Sequence, residues 1–279
     1  MVAETGPAVV VTGASTGIGA ATVAELVRRD FRVWAAVRGQ DAAERLAGQY
    51  ADRVRVLRFD LTDSDGVAAA GEQVSAAGPL HGLVNNAGLA LPGPLEFLPL
   101  AALREQLEVN LLGQLAVTQA MLPALRRGQG RIVMIGSIGG RIAGPILGAY
   151  CTSKFGLVGL TDTLRAELAP WHLPVILVEP GAVRTPIWTR GVANGDRLSQ
   201  QMPPEARKLY AAQLDQARRN AERSAHRGIG PHQAAAGIVR ALTEPHPRPR
   251  YLLGRDALAA SLVARLPFRL RYRLTAART

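Results

Sequence analysis

An α/β fold with a doubly wound parallel sheet is what this sequence predicts, on three observations. Short β-branched runs alternate with longer helical stretches, the pattern of strand–helix–strand units covered on both faces. A glycine-rich turn follows the first of these runs directly. The chain has 279 residues, of which 48% are hydrophobic, which suits one large α/β domain or two small ones with a substantial core.

Taken in order, Val9 to Thr12 is the first strand, and a helix runs from about Gly17 to Arg29. Arg32 to Val37 is the second strand, the alternating stretch Val54 to Phe59 the third, and Leu83 to Asn85 the end of a fourth. Leu100 to Arg126 forms one long helix, Arg131 to Gly136 the fifth strand, Ala149 to Leu168 a helix, and Val175 to Val178 the sixth strand. From Thr185 to about Gly230 the pattern changes. Pro186, Gly191, Gly195, Pro203 and Pro204 interrupt it and a polar helix follows, so residues 185–230 are expected to be an insertion over the carboxyl edge of the sheet. His232 to Leu242 is a further helix and Arg250 to Leu253 the last strand. The expected organisation is a single catalytic domain over 1–255 with a basic amphipathic tail over 256–279.

Composition narrows the function classes. The single cysteine, Cys151, rules out an internal disulfide and a multi-cysteine metal site, so no metal is expected, and it fits a reducing compartment. The N-terminus leads straight into an apolar strand without a basic segment before an apolar run, so no export signal is expected and a cytoplasmic location is. Val109 to Leu125 carries no charge but contains Asn110, Gln114, Thr118, Gln119 and Pro123, which fits a buried amphipathic helix and not a membrane span. Residues 1–189 hold 16 basic and 16 acidic side chains; residues 190–279 hold 17 and 6, so the whole net charge of +11 sits in the last third.

The turn after the first strand reads Thr12-Gly13-Ala14-Ser15-Thr16-Gly17-Ile18-Gly19. Glycines at 13, 17 and 19 permit a tight turn, close approach of a pyrophosphate and close helix packing, and the helix start offers free N–H groups to phosphate. About 20 residues later, at the end of the second strand, an acid would bind the ribose 2′-hydroxyl of NAD. This chain has Val37-Arg38 there and no acid until Asp41. Arg38, with a hydroxyl from Ser15, favours a 2′-phosphate, so NADP(H) is expected over NAD(H).

Tyr150 and Lys154 carry the chemistry. Of the 33 basic side chains only Lys154 and Lys208 are lysines. Spacing of four places the phenol and the ammonium one helical turn apart, and a cation beside a phenol lowers its pKa and makes it a proton donor and acceptor near neutral pH. A lysine also offers a compact, rotatable three-donor head that arginine lacks. Cys151 adjoins Tyr150 but points elsewhere on the helix and is expected to pack.

With these residues in view, the chain resembles the short-chain dehydrogenase/reductase family over about residues 7–255. The glycine turn matches the family's cofactor motif, Asp60-Leu61 its adenine-contacting pair, and Asn85-Asn86-Ala87-Gly88 its motif at the end of the fourth strand. Asn110 stands where the family has a catalytic asparagine, Ser137 precedes Tyr150 by 13 residues as the family's serine does, and Pro180-Gly181 with Val183 and Thr185 matches the segment that holds the nicotinamide carboxamide. The resemblance implies a Rossmann fold and hydride transfer. In it Tyr150 exchanges the substrate's proton, and Lys154 lowers the tyrosine pKa and holds the nicotinamide ribose. Ser137 hydrogen-bonds the reacting oxygen, and Asn110 keeps a water in a relay from Lys154. Asn85 and Asn86 are expected to be architectural. The segment Trp34 to Arg38 and the length beyond the sixth strand look most like the branch of retinol dehydrogenases and 17β-hydroxysteroid dehydrogenases.

Leu91, Ile146, Leu147, Trp188 and Met202, with Leu209 and Tyr210, are the expected substrate contacts. Their apolar character points to a lipophilic secondary alcohol or ketone, steroid- or retinoid-like, turned over by a homo-oligomer. A 3-oxoacyl carrier-protein reductase and a non-catalytic NADP-binding redox sensor are the alternatives; an intact Ser137, Tyr150 and Lys154 speaks against the sensor. In the tail, Leu258 to Leu274 mixes apolar side chains with Arg265, Arg269, Arg271 and Arg273, and as one helix it stacks Leu258, Leu262 and Leu266 in a stripe. It packs on its own domain or a sister subunit, or lies on an anionic membrane surface. Nucleic acid is disfavoured because no aromatic-interleaved basic module is present.

Overall fold

The computed structural model describes residues 6–276. The N-terminal expectation therefore concerns a segment whose residues 1–5 lie outside the described residues, as do 277–279 of the tail. Strands β1 (Ala8–Thr12), β2 (Arg32–Val37), β3 (Val54–Arg58), β4 (Gly82–Asn85), β5 (Arg131–Ile135), β6 (Val175–Pro180) and β7 (Arg250–Leu253) form one sheet in the order β3-β2-β1-β4-β5-β6-β7, with every pairing parallel. Strand order reverses direction between β1 and β4, and in such sheets a crevice opens there beyond the carboxyl ends.

The helices in chain order are α1 (Gly17–Arg28), α2 (Gln40–Tyr50), α3 (Ser64–Ala76), α4 (Leu100–Leu107), α5 (Gly113–Gly128), α6 (Gly148–Leu168), α7 (Ile187–Gln200), α8 (Pro204–Leu209), α9 (Ala211–Arg227), α10 (Pro231–Thr243), α11 (Arg255–Ala264) and α12 (Phe268–Ala276). Alternation along the strands explains the two layers. Val10, Trp34, Leu83 and Met134 point to one face and pack on α3, α5 and α6; Val9, Val11, Val33, Val84 and Val133 point to the other and pack on α1, α2 and α10.

Three differences from the sequence expectations have physical causes. Helices α2 and α3 were not expected. Helix α2 buries only Leu46, and α3 buries a helically spaced stripe of mostly small residues, Val67, Ala70, Gly71 and Val74, so neither announces itself by large apolar side chains. The long helix expected over Leu100 to Arg126 is broken by a π-helical segment, Glu108–Leu112. Asn110 at its centre bonds the chain at Leu89 through both ends of its amide, and the wider turn is what lets it face that way. The tail is two helices and not one, with Pro267 in the break. Helix α11 buries Ala257 and Ser261, whereas Leu258 and Leu262 are 55% and 65% exposed and Phe268 of α12 is 69% exposed. Among the described residues no helix is long and apolar enough to cross a membrane.

Candidate active site

A cleft of about 1980 Å³ lies over the carboxyl edge of the sheet. Its floor is the β1–α1 turn. Gly13 and Gly17 adopt φ of +63° and +58°, in the left-handed region where a side chain is strained. A Cβ on Gly19 would stand 2.2 Å from the Gly13 carbonyl oxygen, and one on Gly17 would stand 3.0 Å from Thr185. The turn is therefore a cradle lined by backbone, closed from above by the segment after β6. Ser15, Thr16 and Ile18 line it as well. Such a cradle, at a helix N-terminus and without an acid in it, fits the pyrophosphate of a dinucleotide.

Asn86 builds that cradle. Its backbone N–H donates to the Thr12 hydroxyl at 2.9 Å and its side-chain amide donates to the Thr12 carbonyl at 2.8 Å; the Ala87 N–H shares the Thr12 hydroxyl. Asn85 points the other way, donating to the Thr118 hydroxyl at 2.8 Å inside the core. Ala87 and Gly88 line the cleft.

At the far end of the cradle Arg38 follows β2 and lies 3.5 Å from Asp60. Burial pushes the Asp60 carboxyl up, but the Thr62 amide and hydroxyl and the Arg38 guanidinium outweigh it and leave the group below the usual carboxylate range. Leu61 lines the same end. Sequence reasoning missed Arg45, which reaches back from α2 to donate to the Ser15 carbonyl at 3.0 Å. Only the unexpected helix α2 brings it there.

Ser137, Tyr150 and Lys154 converge beyond β5. Ser137 is extended, and its hydroxyl accepts from the Gly139 N–H at 3.0 Å, which caps a short 3₁₀ turn over Ile138–Gly140. Gly139 leaves room for the tyrosine, since a Cβ there would sit 3.1 Å from the Tyr150 ring. Lys154 is 4% exposed and donates to the Ile135 carbonyl at 2.8 Å; its ammonium is 5.9 Å from the Tyr150 ring centroid. Burial pushes the Tyr150 phenol up, with the Ser137 hydroxyl pulling it part of the way back, and burial lowers Lys154 to about 8. The expected depression of the tyrosine by lysine is thus not what this arrangement gives. Desolvation dominates both groups, and the ammonium is directed to the Ile135 carbonyl. Asn110 donates to the Ser153 hydroxyl at 3.1 Å and so ties the π segment to the helix that carries both groups.

The expected substrate contacts divide. Ile146, Leu147 and Trp188 line the cleft. Ile146 holds φ of +68°, strained for a β-branched residue, and its carbonyl accepts from the Gly93 N–H at 2.8 Å. Trp188 donates to the Val183 carbonyl at 2.7 Å. Leu91 and Met202 do not reach the cleft wall. Leu91 is buried in a separate small cluster with Ala102 and Leu198, and Met202 is buried at the corner between α7 and α8. Leu209 faces solvent, and the Tyr210 hydroxyl bonds Glu96. Unexpected wall positions come from α9, through Gln213, Leu214 and Asn220, and from α11, through Asp256, Ala260 and Val263. The polar helix expected within 185–230 is α9, but no sequence signal singled out these side chains, because it buries nothing.

A dinucleotide cradle beside a half-buried serine and tyrosine and a buried lysine defines a nicotinamide-dependent oxidoreductase. Residues 7–194 match the short chain dehydrogenase family, and the chain belongs to that family. Human 17-beta-hydroxysteroid dehydrogenase type 6 is 37% identical over 262 residues, covering 89% of this chain and 81% of the relative. Human retinol dehydrogenase 16 is 34% identical over 257 residues with the same coverage. A 3-amino-tetrahydro-pyrrolizinone reductase of Xenorhabdus hominickii is 40% identical over 207 residues, covering 72% of this chain and 70% of that one. Among solved structures, a short chain dehydrogenase from Burkholderia cenocepacia J2315 in complex with NADP superposes with a TM-score of 0.75 at 26% identity, covering 98% of both chains.

Proposed function

We propose that this chain is an NADP(H)-dependent oxidoreductase interconverting a lipophilic secondary alcohol and its ketone, with Tyr150 as general acid and base. The observation that carries it is the convergence of Ser137, Tyr150 and Lys154 at the edge of the dinucleotide cradle. A bound nicotinamide supplies the hydride. In the reducing direction the Tyr150 hydroxyl donates its proton to the substrate oxygen while the Ser137 hydroxyl donates a second hydrogen bond to it, so both donors are in place before charge develops. A phenol raised by burial is protonated at neutral pH, the form that reduction consumes. Lys154 holds the nicotinamide ribose and starts the relay that returns a proton to the phenolate left behind, and Asn110 holds its helix in register and keeps a water in that relay. Gly13, Gly17 and Gly19 receive the pyrophosphate, Asp60 and Leu61 the adenine, Arg38 the 2′-phosphate, and Pro180, Gly181, Val183 and Thr185 the nicotinamide end. Ile146, Leu147 and Trp188 make the inner wall apolar, which supports a lipophilic ring system, and the hydroxysteroid and retinol names of the relatives support the same class.

The test is NADPH oxidation against ketosteroids, retinaldehyde and acyl ketones, repeated with Tyr150→Phe. The variant is expected to lose at least ~10²-fold in kcat while NADPH binding changes little. A Tyr150→Phe enzyme that kept more than about a tenth of the wild-type rate would sink the acid–base assignment.

For the tail, we infer contact with an anionic lipid surface. Leu258, Leu262 and Phe268 face solvent beside exposed Arg265 and Arg269, so the stripe is not consumed by packing on its own domain.

A further inference from the structure

Glu179 is 0% exposed and sits immediately before the Pro180-Gly181 segment. A carboxylate taken out of water is strongly disfavoured unless it is paired with good geometry. Its partner is Arg141, four residues after Ser137. Arg141 Nε donates to Glu179 Oε1 at 2.6 Å and Nη2 donates to Oε2, a two-pronged contact, while Nη1 donates to the Ser261 hydroxyl of α11 at 3.1 Å. Glu179 also packs on the strand end before Ser137, since a Cβ on Gly136 would stand 3.4 Å from its Cγ. A second tie runs in parallel: Asp256 at the start of α11 accepts from the Ala182 N–H at 2.6 Å. Three segments that are remote in sequence thus meet: the Ser137 loop, the segment after β6, and α11.

We propose that the Arg141–Glu179 pair, locked by Ser261, is a positioning device that fixes the Ser137 loop against the Pro180-Gly181 segment and makes α11 part of the catalytic frame. The inference rests on the reading that Ser137 and Tyr150 hold the substrate oxygen and that Pro180-Gly181 meets the nicotinamide. Hydride transfer needs the donor carbon and the acceptor carbonyl at near-contact distance, and an error of 1 Å can cost about 10²-fold. Buried ion pairs are weak stabilisers compared with apolar packing, so stability alone is a poor reason for one here. What a bidentate fork adds over an apolar contact is a fixed distance and a fixed plane.

The experiment measures wild type, Arg141→Lys, Ser261→Ala and the double variant Arg141→Leu with Glu179→Leu, using the ketone that wild type reduces fastest. Folded sites are counted by NADPH fluorescence titration. Arg141→Lys keeps the charge but loses the fork, and the double variant keeps the volume without leaving a lone charge. Per folded site, kcat is expected to fall about tenfold in Arg141→Lys and about 10²-fold in the double variant, with NADPH affinity within about threefold. The primary isotope effect with 4-deuterated NADPH should rise toward its intrinsic value, because the hydride step alone is slowed. Ser261→Ala should show the same pattern at about threefold. If the double variant does not fold, Arg141→Lys and Ser261→Ala decide the matter. Wild-type kcat per folded site in Arg141→Lys, or an isotope effect that does not move, overturns the proposal. Tyr150→Phe runs alongside. An inactive Tyr150→Phe with fully active Arg141 variants rejects the positioning device alone, whereas an active Tyr150→Phe rejects the acid–base reading and the device with it.

Discussion

The two halves of the cleft are built from different materials. The dinucleotide half is backbone: strand ends, three glycines and the amide groups that Thr12 and Asn86 hold together, all between buried elements. The substrate half is side chains on helices, and α9, which forms much of its outer wall, buries no residue at all. Charge divides the same way, with residues 1–189 balanced and the excess of +11 beyond them. Backbone geometry tolerates little substitution and so fixes what binds; an exposed helix face can change its side chains without unfolding anything, and so can change which substrate is accepted.

The sharpest test of the first half is cofactor choice, where one side chain acts on a rigid frame. Val37→Asp with Arg38→Ala should move the ratio of kcat/KM for NADPH over NADH by about 10²-fold toward NADH, since a charged hydrogen bond to phosphate is removed and a carboxylate is placed where a ribose hydroxyl would lie. Equal efficiency with both cofactors in the unaltered enzyme would break the assignment to Arg38.

Next in size is a stability effect at the border of the halves. Lys154 is buried and its pKa is lowered from 10.5 to about 8, so a buried ammonium opposes folding at neutral pH. Below pH about 8 the lysine is protonated in folded and unfolded chains alike, and the full cost of order 3 kcal/mol is present. Between about 8 and 10.5 the folded chain releases its proton first, so stability rises with pH there. Lys154→Met should therefore be inactive yet more stable than wild type at pH 7 by about 2 kcal/mol after loss of the Ile135 hydrogen bond, a few degrees in Tm. The gap should narrow steadily in melts taken up to pH 10. A gap that does not change with pH would show that the charge is not what the fold opposes.

The smallest effect per residue belongs to the second half. Full-length protein should sediment with anionic vesicles at low salt and release at high salt, and replacing Arg265, Arg269 and Arg273 with Gln should lose about 1 kcal/mol per arginine of that binding. Removing the tail at Asp256 would be a poor substitute, because α11 also supplies Ser261 to Arg141. Protein that ignores anionic vesicles at low salt leaves the stripe to a subunit contact.

Legibility in the sequence follows the same line. All seven strands, the glycine turn and the Tyr150–Lys154 pair could be read directly, because strands announce themselves by β-branched runs and the pair by its helical spacing, whereas Ser137 came only through the family resemblance. Helix α2 could not, since Leu46 is its only buried residue, and with α2 went Arg45. Leu91 and Met202 were misjudged because apolar character marks burial and not the identity of what lies opposite. Nothing local in Arg141, Glu179 or Ser261 reveals that 38 and 120 residues of chain separate partners in one contact.

The π segment at Glu108–Leu112 carries a consequence for the ancestry and engineering of this chain. A π turn is an α-helix holding one residue too many, so deleting a single residue between Leu107 and Gly113 would let α4 and α5 fuse into one regular rod. Because the wide turn absorbs the surplus residue, the helices on either side would keep nearly the same faces after such a deletion. The shortened rod would have better backbone hydrogen bonds and keep the core face of α5, but Asn110 would lose the wide turn that aims it at Leu89. A search for thermostable deletions in this helix should therefore recover folded, durable and idle molecules, a sign that the surplus residue is kept for its direction and not for its bonds.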